Sequence, residues 1–204
     1  VYTAILPEDL SSFSENALLK PEVQMEGMLK NHGYYRVEEN GTGTALISAD
    51  CGVFQFIPPK KGEDWEIRRL IPDAASDAVL VDLDQDGERE LAVIAPFHGD
   101  TVRIYADISG CSQPCYEYGK KKEFLHSIFG GMIAGRPAVI LGHRQGERDL
   151  MVLFYDRGEG QYRIETIDHG CGSANVYHYL RNGKDHLVSA NRETDEVALY
   201  TLTW

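Results

Sequence analysis

The chain has 204 residues, 43% of them apolar and 25% charged, which suits one soluble globular domain or one repeat array. Its net charge of −12 argues against phosphate polymers as partners, and the one lysine run, Lys120, Lys121 and Lys122, reads as a solvated loop rather than a nucleic-acid patch. No apolar run approaches the length of a membrane span, so the expected partners are cations and neutral ligands rather than nucleic acid or a bilayer.

The chain opens on VYTAILPEDL, with no basic segment, long apolar core or initiator Met. It is expected to be a processed product or an excised piece, and extracellular and cytoplasmic settings both stay open. Residues 11–31 alone look helical. Ser12 with Glu15 three residues on forms a capping box, Pro21 opens a second short helix and Gly33 ends it. From residue 32 the apolar period falls to two, in short β-branched and aromatic runs bounded by Gly, Asp, Asn or Pro.

These runs repeat. Aligned on a turn glycine they read VEENGTGTALISAD at Gly41, VDLDQDGERELAVIAP at Gly87, FGGMIAGRPAVILGH at Gly135 and YHYLRNGKDHLVSAN at Gly183, with spacings of 46, 48 and 48 residues. A further strand follows in each unit (GVFQFI, TVRIY, DLMVLFY, EVALYTL), and three units continue into a fourth: WEIRRLI, KEFLHSI and YRIETID. A four-stranded meander of this length is the size of a propeller blade. The predicted fold is therefore all-β: a β-propeller of four-stranded antiparallel blades over about 32–72, 73–125, 126–168 and 169–204, preceded by an N-terminal strand and helical segment over 1–31. A β-sandwich built from the same strands gives no reason for the constant spacing. The last unit stops after its third strand, and residues 1–6 are expected to supply the missing one and close the ring. The alternatives are a fragment of a larger ring and an N-terminal segment filling a degenerate fifth position.

The segment DLDQDGERE places carboxylates of Asp82, Asp84, Asp86 and Glu90 at positions 1, 3, 5 and 9, with Gly87 at 6 and the backbone carbonyl of Glu88 at 7. Ca²⁺ takes six to eight such oxygens in flexible geometry, and without a cation the carboxylates repel one another. Position 12 is Val93 and both flanks are strands, so this is a β-hairpin relative of the EF-hand loop. These residues resemble the FG-GAP/VCBS family of calcium-binding β-propeller repeats. The likeness extends through CGVFQFIPPKKGEDWEIRRLI and DHGCGSANVYHYLRNGKDHLVSANRETDEVALY and covers roughly residues 32–204. It implies one structural Ca²⁺ in the hairpin joining the innermost strand to the next. The matching turns of the other units hold Glu38 and Asn40, Ala134 and Gly135, and Asn182 and Asp185, too few carboxylates for a second site.

The resemblance also implies that the opposite loops gather near a central channel where propellers bind ligands. Those loops carry Asp50 with Cys51, His98 with Asp100, His143 with Arg144, and Asn191 with Arg192. The loops leading into the first strands carry His32, Asp73, His126, and His169 with Cys171. Five of the seven histidines fall there, and imidazoles beside carboxylates suit a transition metal or acid–base work. Some propellers of this kind are sugar-active, including the aldos-2-ulose dehydratases, which remove water from an oxidised sugar with metal ions. That likeness implies His98, His143 and His169 as candidate catalytic groups. Two functions follow: a non-catalytic module binding a glycan, small molecule or protein, and a metal-assisted lyase or dehydratase on a sugar-like substrate. The lack of G-x-S-x-G, a phosphate loop or H-E-x-x-H favours the first. The cysteines add little. CSQPC at Cys111 and Cys115 has neither zinc-knuckle nor C-x-x-C spacing and fits a local disulfide or two thiols.

Overall fold

β-branched and aromatic side chains recur at alternate positions after residue 33, and there the chain runs as antiparallel strands. The structure, a computed structural model, describes residues 1–14, 18–60, 63–108 and 113–204. β1 (Tyr2–Thr3) and β2 (Glu22–Val23) form a small ribbon. Four meanders follow. The first sheet is β3 (Tyr34–Glu39), β4 (Thr42–Ala49), β5 (Gly52–Ile57) and β6 (Glu66–Ile71). The second is β7 (Asp77–Val81), β8 (Glu90–Ala95), β9 (Thr101–Tyr105) and β10 (Tyr116–Glu117). The third is β11 (Leu125–Ile133), β12 (Arg136–His143), β13 (Leu150–Asp156) and β14 (Gln161–Asp168). The fourth holds β15 (Ser173–Arg181), β16 (Lys184–Asn191) and β17 (Glu196–Leu202). Within each sheet every strand pairs antiparallel with its neighbour in sequence.

Three of the four aligned glycines close two-residue hairpins. Asn40–Gly41, Ala134–Gly135 and Asn182–Gly183 all have positive φ at both positions, the geometry whose twist matches the flanking strands. The second sheet instead carries an eight-residue loop, 82–89, between β7 and β8.

Alternation then builds the core. On β7, Ala78 and Leu80 face the first sheet with Val37, Leu46 and Ile71, while Val79 and Val81 face the third with Val139, Leu141 and Leu153. On β12, Ala138 and Ile140 turn the other way, onto Val176 and Leu187 of the fourth. The middle sheets are thus buried on both faces, and their strands read as nearly continuous apolar runs. The first strand of each sheet meets the first strand of the next. Tyr35 of β3 reaches further and donates its hydroxyl to the Gly130 carbonyl on β11, 2.5 Å away. The described residues form no closed ring. The back of the fourth sheet is bare, with Tyr177, Val197 and Leu199 exposed.

Three expectations are corrected. The N-terminal segment is not helical: its described residues hold one 3-10 turn, Leu10–Ser12, capped by Asp9, whose Oδ1 accepts the Ser11 N–H at 2.9 Å. Glu15, the other half of the proposed capping box, lies outside the described residues. After Pro21 comes β2 rather than a helix, because Glu22 and Val23 find backbone partners in Thr3 and Tyr2. The same pairing takes β1 away from the fourth sheet, which keeps three strands. Finally, KEFLHSI does not complete the second sheet. Its residues from Leu125 onward open β11 and pair with β12, and the short β10 takes the fourth place.

Candidate metal centres

Three histidines from three sheets converge where the first strands gather. His32 precedes β3, His98 lies in the β8–β9 loop and His126 sits on β11, and one ring nitrogen of each lies within 4.8 Å of the others. Local backbone aims them. The register of β11 against β12 shifts between Leu125 and Ser127, and a bulge of this kind turns a side chain off the ladder. His98 is held at φ 46°, a left-handed conformation that non-glycine residues seldom adopt. Its ring stacks on Phe97 at 4.1 Å and meets Phe124 edge-on at 4.5 Å.

The proton positions favour a cation. Nδ1 of His126 lies 2.8 Å from the Ala174 carbonyl, which can only accept, so Nδ1 carries the proton and Nε2 keeps its lone pair. Nε2 of His98 is buried with no hydrogen-bond partner. Burial first, and then the neighbouring His32, push the His98 pKa down. Burial also lowers His126, with His32, His98 and Arg192 adding to it. Imidazoles facing one another in an aromatic shell are the donor set that first-row transition dications prefer.

A second group lies in the β7–β8 loop. Asp82, Asp84 and Glu90 bring carboxylate oxygens within 4.8 Å of one another. Glu90 is 2% exposed and its Oε2 accepts the Leu83 N–H at 2.6 Å. Its pKa rises to about 7, through burial first, then through Asp84 and Asp82. The loop is wound around its own carboxylates: Asp82 Oδ2 accepts from Gly87 N, Asp84 Oδ1 from Asp86 N and Asp86 Oδ1 from Glu88 N. The other Asp82 oxygen is buried and unpartnered. The side chains of Asp86 and Glu88 stay outside the cluster and exposed. An all-oxygen donor set with one orphaned carboxylate oxygen fits a hard cation such as Ca²⁺.

The remaining expected site residues divide. His143 is fully occupied: Nδ1–H donates to the Gln145 carbonyl at 2.7 Å and Nε2 accepts the Asp149 N–H at 2.9 Å. It is buried, and with both ring nitrogens engaged no lone pair is left for a metal or a substrate. His169 does not join the histidine cluster; its Nδ1 pairs with Asp149 Oδ1 at 2.9 Å while the ring stays exposed. Asp100 pairs with Lys121, and Arg144 donates twice to Glu193 and stacks on Phe124. Asn191 is buried among Ser189 and Tyr200. Arg192 is exposed, and Asp50, at the β4–β5 turn, is a member of neither cluster.

Sequence reasoning missed two features. Lys122 is not solvated: it is buried against Asp149, at 3.0 Å, and Glu147. The ammonium of Lys122 therefore already sits beside a third group of possible metal ligands, His143 with Glu147 and Asp149. Although burial opposes it, hydrogen bonds from His169 and Lys122 hold the Asp149 carboxyl below the usual range. The other is which histidines meet: the sequence puts His32 and His126 on the same face as His98, yet His143 and His169 rather than these two were singled out beside it. Among the described residues Cys51, Cys115 and Cys171 are free thiols, and Cys111 lies outside them. No family model matches the chain, and no curated protein matches it.

Proposed function

We propose that the chain is an array of propeller-type blades of the FG-GAP/VCBS kind that binds a small oxygen-bearing ligand, such as a glycan, through a transition metal at His32, His98 and His126. The observation that carries this reading is the meeting of three imidazole nitrogens within 4.8 Å, one of them buried without a partner. Three protein nitrogens leave coordination positions for a ligand's hydroxyl or carbonyl oxygen, and the metal would polarise that oxygen. Tyr35, which ties the first sheet to the third, supports a shared axis for the blades. The hairpin at Asp82, Asp84 and Glu90 takes Ca²⁺ as a structural ion, with the Glu88 carbonyl as a further oxygen.

Co²⁺ titration followed by visible absorption tests the metal. Wild type is expected to bind one equivalent. His98→Ala and His126→Ala should each weaken binding at least about tenfold, while His169→Ala leaves it unchanged. Retention of full affinity by His126→Ala would sink the proposal. A second reading, metal-assisted water elimination from an oxidised sugar, is favoured by one observation: Asp149 orients the exposed His169 as a carboxylate orients a general base. An unsaturated-carbonyl product, lost in His169→Ala with Co²⁺ binding intact, would separate it from simple binding.

A further inference from the structure

The three imidazoles come from the first three sheets, yet the group that fixes one of them comes from the fourth. The β11–β12 and β15–β16 ladders are both irregular, the first between Leu125 and Ser127, the second between Ser173 and Asn175. The residue skipped is His126 in one and Ala174 in the other, and these two meet, with His126 Nδ1 2.8 Å from the Ala174 carbonyl. Their neighbours Ser127 and Ser173 meet as well, with hydroxyls 3.1 Å apart. Gly142 leaves room for this contact, since a Cβ there would stand 2.4 Å from Ser127 Oγ and 2.6 Å from Ser173 Cβ. From Ser173 the bonds continue outward. Ser189 Oγ lies 2.8 Å from Ser173 Oγ and 2.6 Å from Asn191 Oδ1. Asn191 Nδ2 donates to the Tyr200 hydroxyl at 3.2 Å, which donates to Asp168 Oδ2 at 2.7 Å. Ser127, Ser173, Ser189 and Asn191 are all buried.

The direction of this chain of bonds follows from its members. The Asn191 amide oxygen only accepts, and a hydroxyl has one proton to give. Ser189 therefore donates to Asn191 and accepts from Ser173, which in turn accepts from Ser127. Every proton points toward the Asp168 carboxylate, through buried groups where each bond is stronger than in water and each loss costs more. We propose that the fourth sheet, which supplies no imidazole, is the positioning element of the histidine centre: the chain from Ser127 to Asp168 holds the Ala174 carbonyl against His126 Nδ1 and keeps the Nε2 lone pair available to the metal. This role rests on the reading of that centre as a metal site. Groups one bond behind a ligand set its tautomer and ring orientation, and their loss weakens metal binding by about 10- to 100-fold. Ser173, beside Ala174, and Tyr200, at the far end on β17, are the positioning residues.

Two measurements on the full chain test this. In metal-free protein at pH 8, where the imidazole is neutral, ¹⁵N chemical shifts of the His126 ring report which nitrogen carries the proton. Wild type is expected to show Nδ1–H. Ser173→Ala, which cuts the chain beside Ala174, and Tyr200→Phe, which removes only the far hydroxyl, should both populate Nε2–H. Co²⁺ titration of the same proteins should show affinity at least about tenfold weaker in Ser173→Ala than in wild type, with a loss in the same direction in Tyr200→Phe. A role confined to folding would lower stability and leave the tautomer of the folded variants unchanged. If Ser173→Ala fails to fold, Tyr200→Phe decides. An unchanged tautomer or an unchanged Co²⁺ affinity in folded Tyr200→Phe would overturn the positioning role. A wild type that takes up no Co²⁺ would overturn the metal reading instead, and the tautomer would still decide whether the fourth sheet positions His126.

Discussion

At the scale of single residues, two positions carry strain or charge that mutation can read. Ala134 holds φ 49° in a hairpin whose counterparts are Asn40 and Asn182. Ala134→Gly is expected to raise stability by about 0.5–1 kcal/mol in urea denaturation, because the left-handed conformation is unfavourable with a Cβ. Asp77 is the second. Burial pushes its carboxyl up to about 7, against the hydrogen bond it accepts from Ala78 N. A folded-state pKa above the unfolded one means stability that is complete below about pH 4 and lost as pH rises through about 7. Asp77→Asn should therefore flatten the pH dependence and stabilise the protein at pH 8 by roughly 2–4 kcal/mol, compared by denaturant melts at pH 5 and 8. Single residues were also where sequence was hardest to read. His98 stands out in the sequence because it sits in a polar loop, and the fold sets it beside His32 and His126. The two hydrogen bonds of His143, to Gln145 and Asp149, depend on backbone positions no pattern reveals. Lys122 looked like its neighbours Lys120 and Lys121, yet it alone turns inward to Asp149.

At the scale of elements, close approach of strands decides what the sheets tolerate. A Cβ at Gly130 on β11 would stand 2.5 Å from Val81 Cγ2 and 2.8 Å from Val79 Cγ2 of β7. Gly130→Ala is expected to cost about 1–3 kcal/mol by forcing the second and third sheets apart, measured as a lowered melting temperature. The hairpins were legible because Asn40–Gly41 and Asn182–Gly183 dictate a turn locally and alternation fixes which face is buried. What sequence left obscure was strand partnership. KEFLHSI has the right composition for either the second or the third sheet, and only the ladder of Leu125–Ile133 on β12 assigns it. Likewise nothing in VYTAIL distinguishes pairing with β2 from pairing with β17. The apparent helix over residues 11–31 failed because its caps are equally good turn residues, and Val23 is better suited to a strand.

At the scale of the whole molecule, the Ca²⁺ site proposed for the acidic hairpin would link cation binding to stability. Added Ca²⁺ at one hundred times its dissociation constant should stabilise the fold by about 2.7 kcal/mol, seen as a rise in melting temperature that Asp82→Ala abolishes. The array itself was legible from turn glycines at spacings of 46, 48 and 48 residues, while its open form was not, since closure depends on surfaces rather than spacing. The chain-order stacking of the four sheets bears on how the protein is made. Each later sheet packs on the one translated just before it. On a ribosome working at about 5–20 residues per second, every new meander emerges within a few seconds to find its docking face already finished. Nascent chains cut after Asp168 should therefore leave a folded, protease-resistant stub of three sheets, and an apolar face left waiting is covered before it can meet a neighbouring polysome.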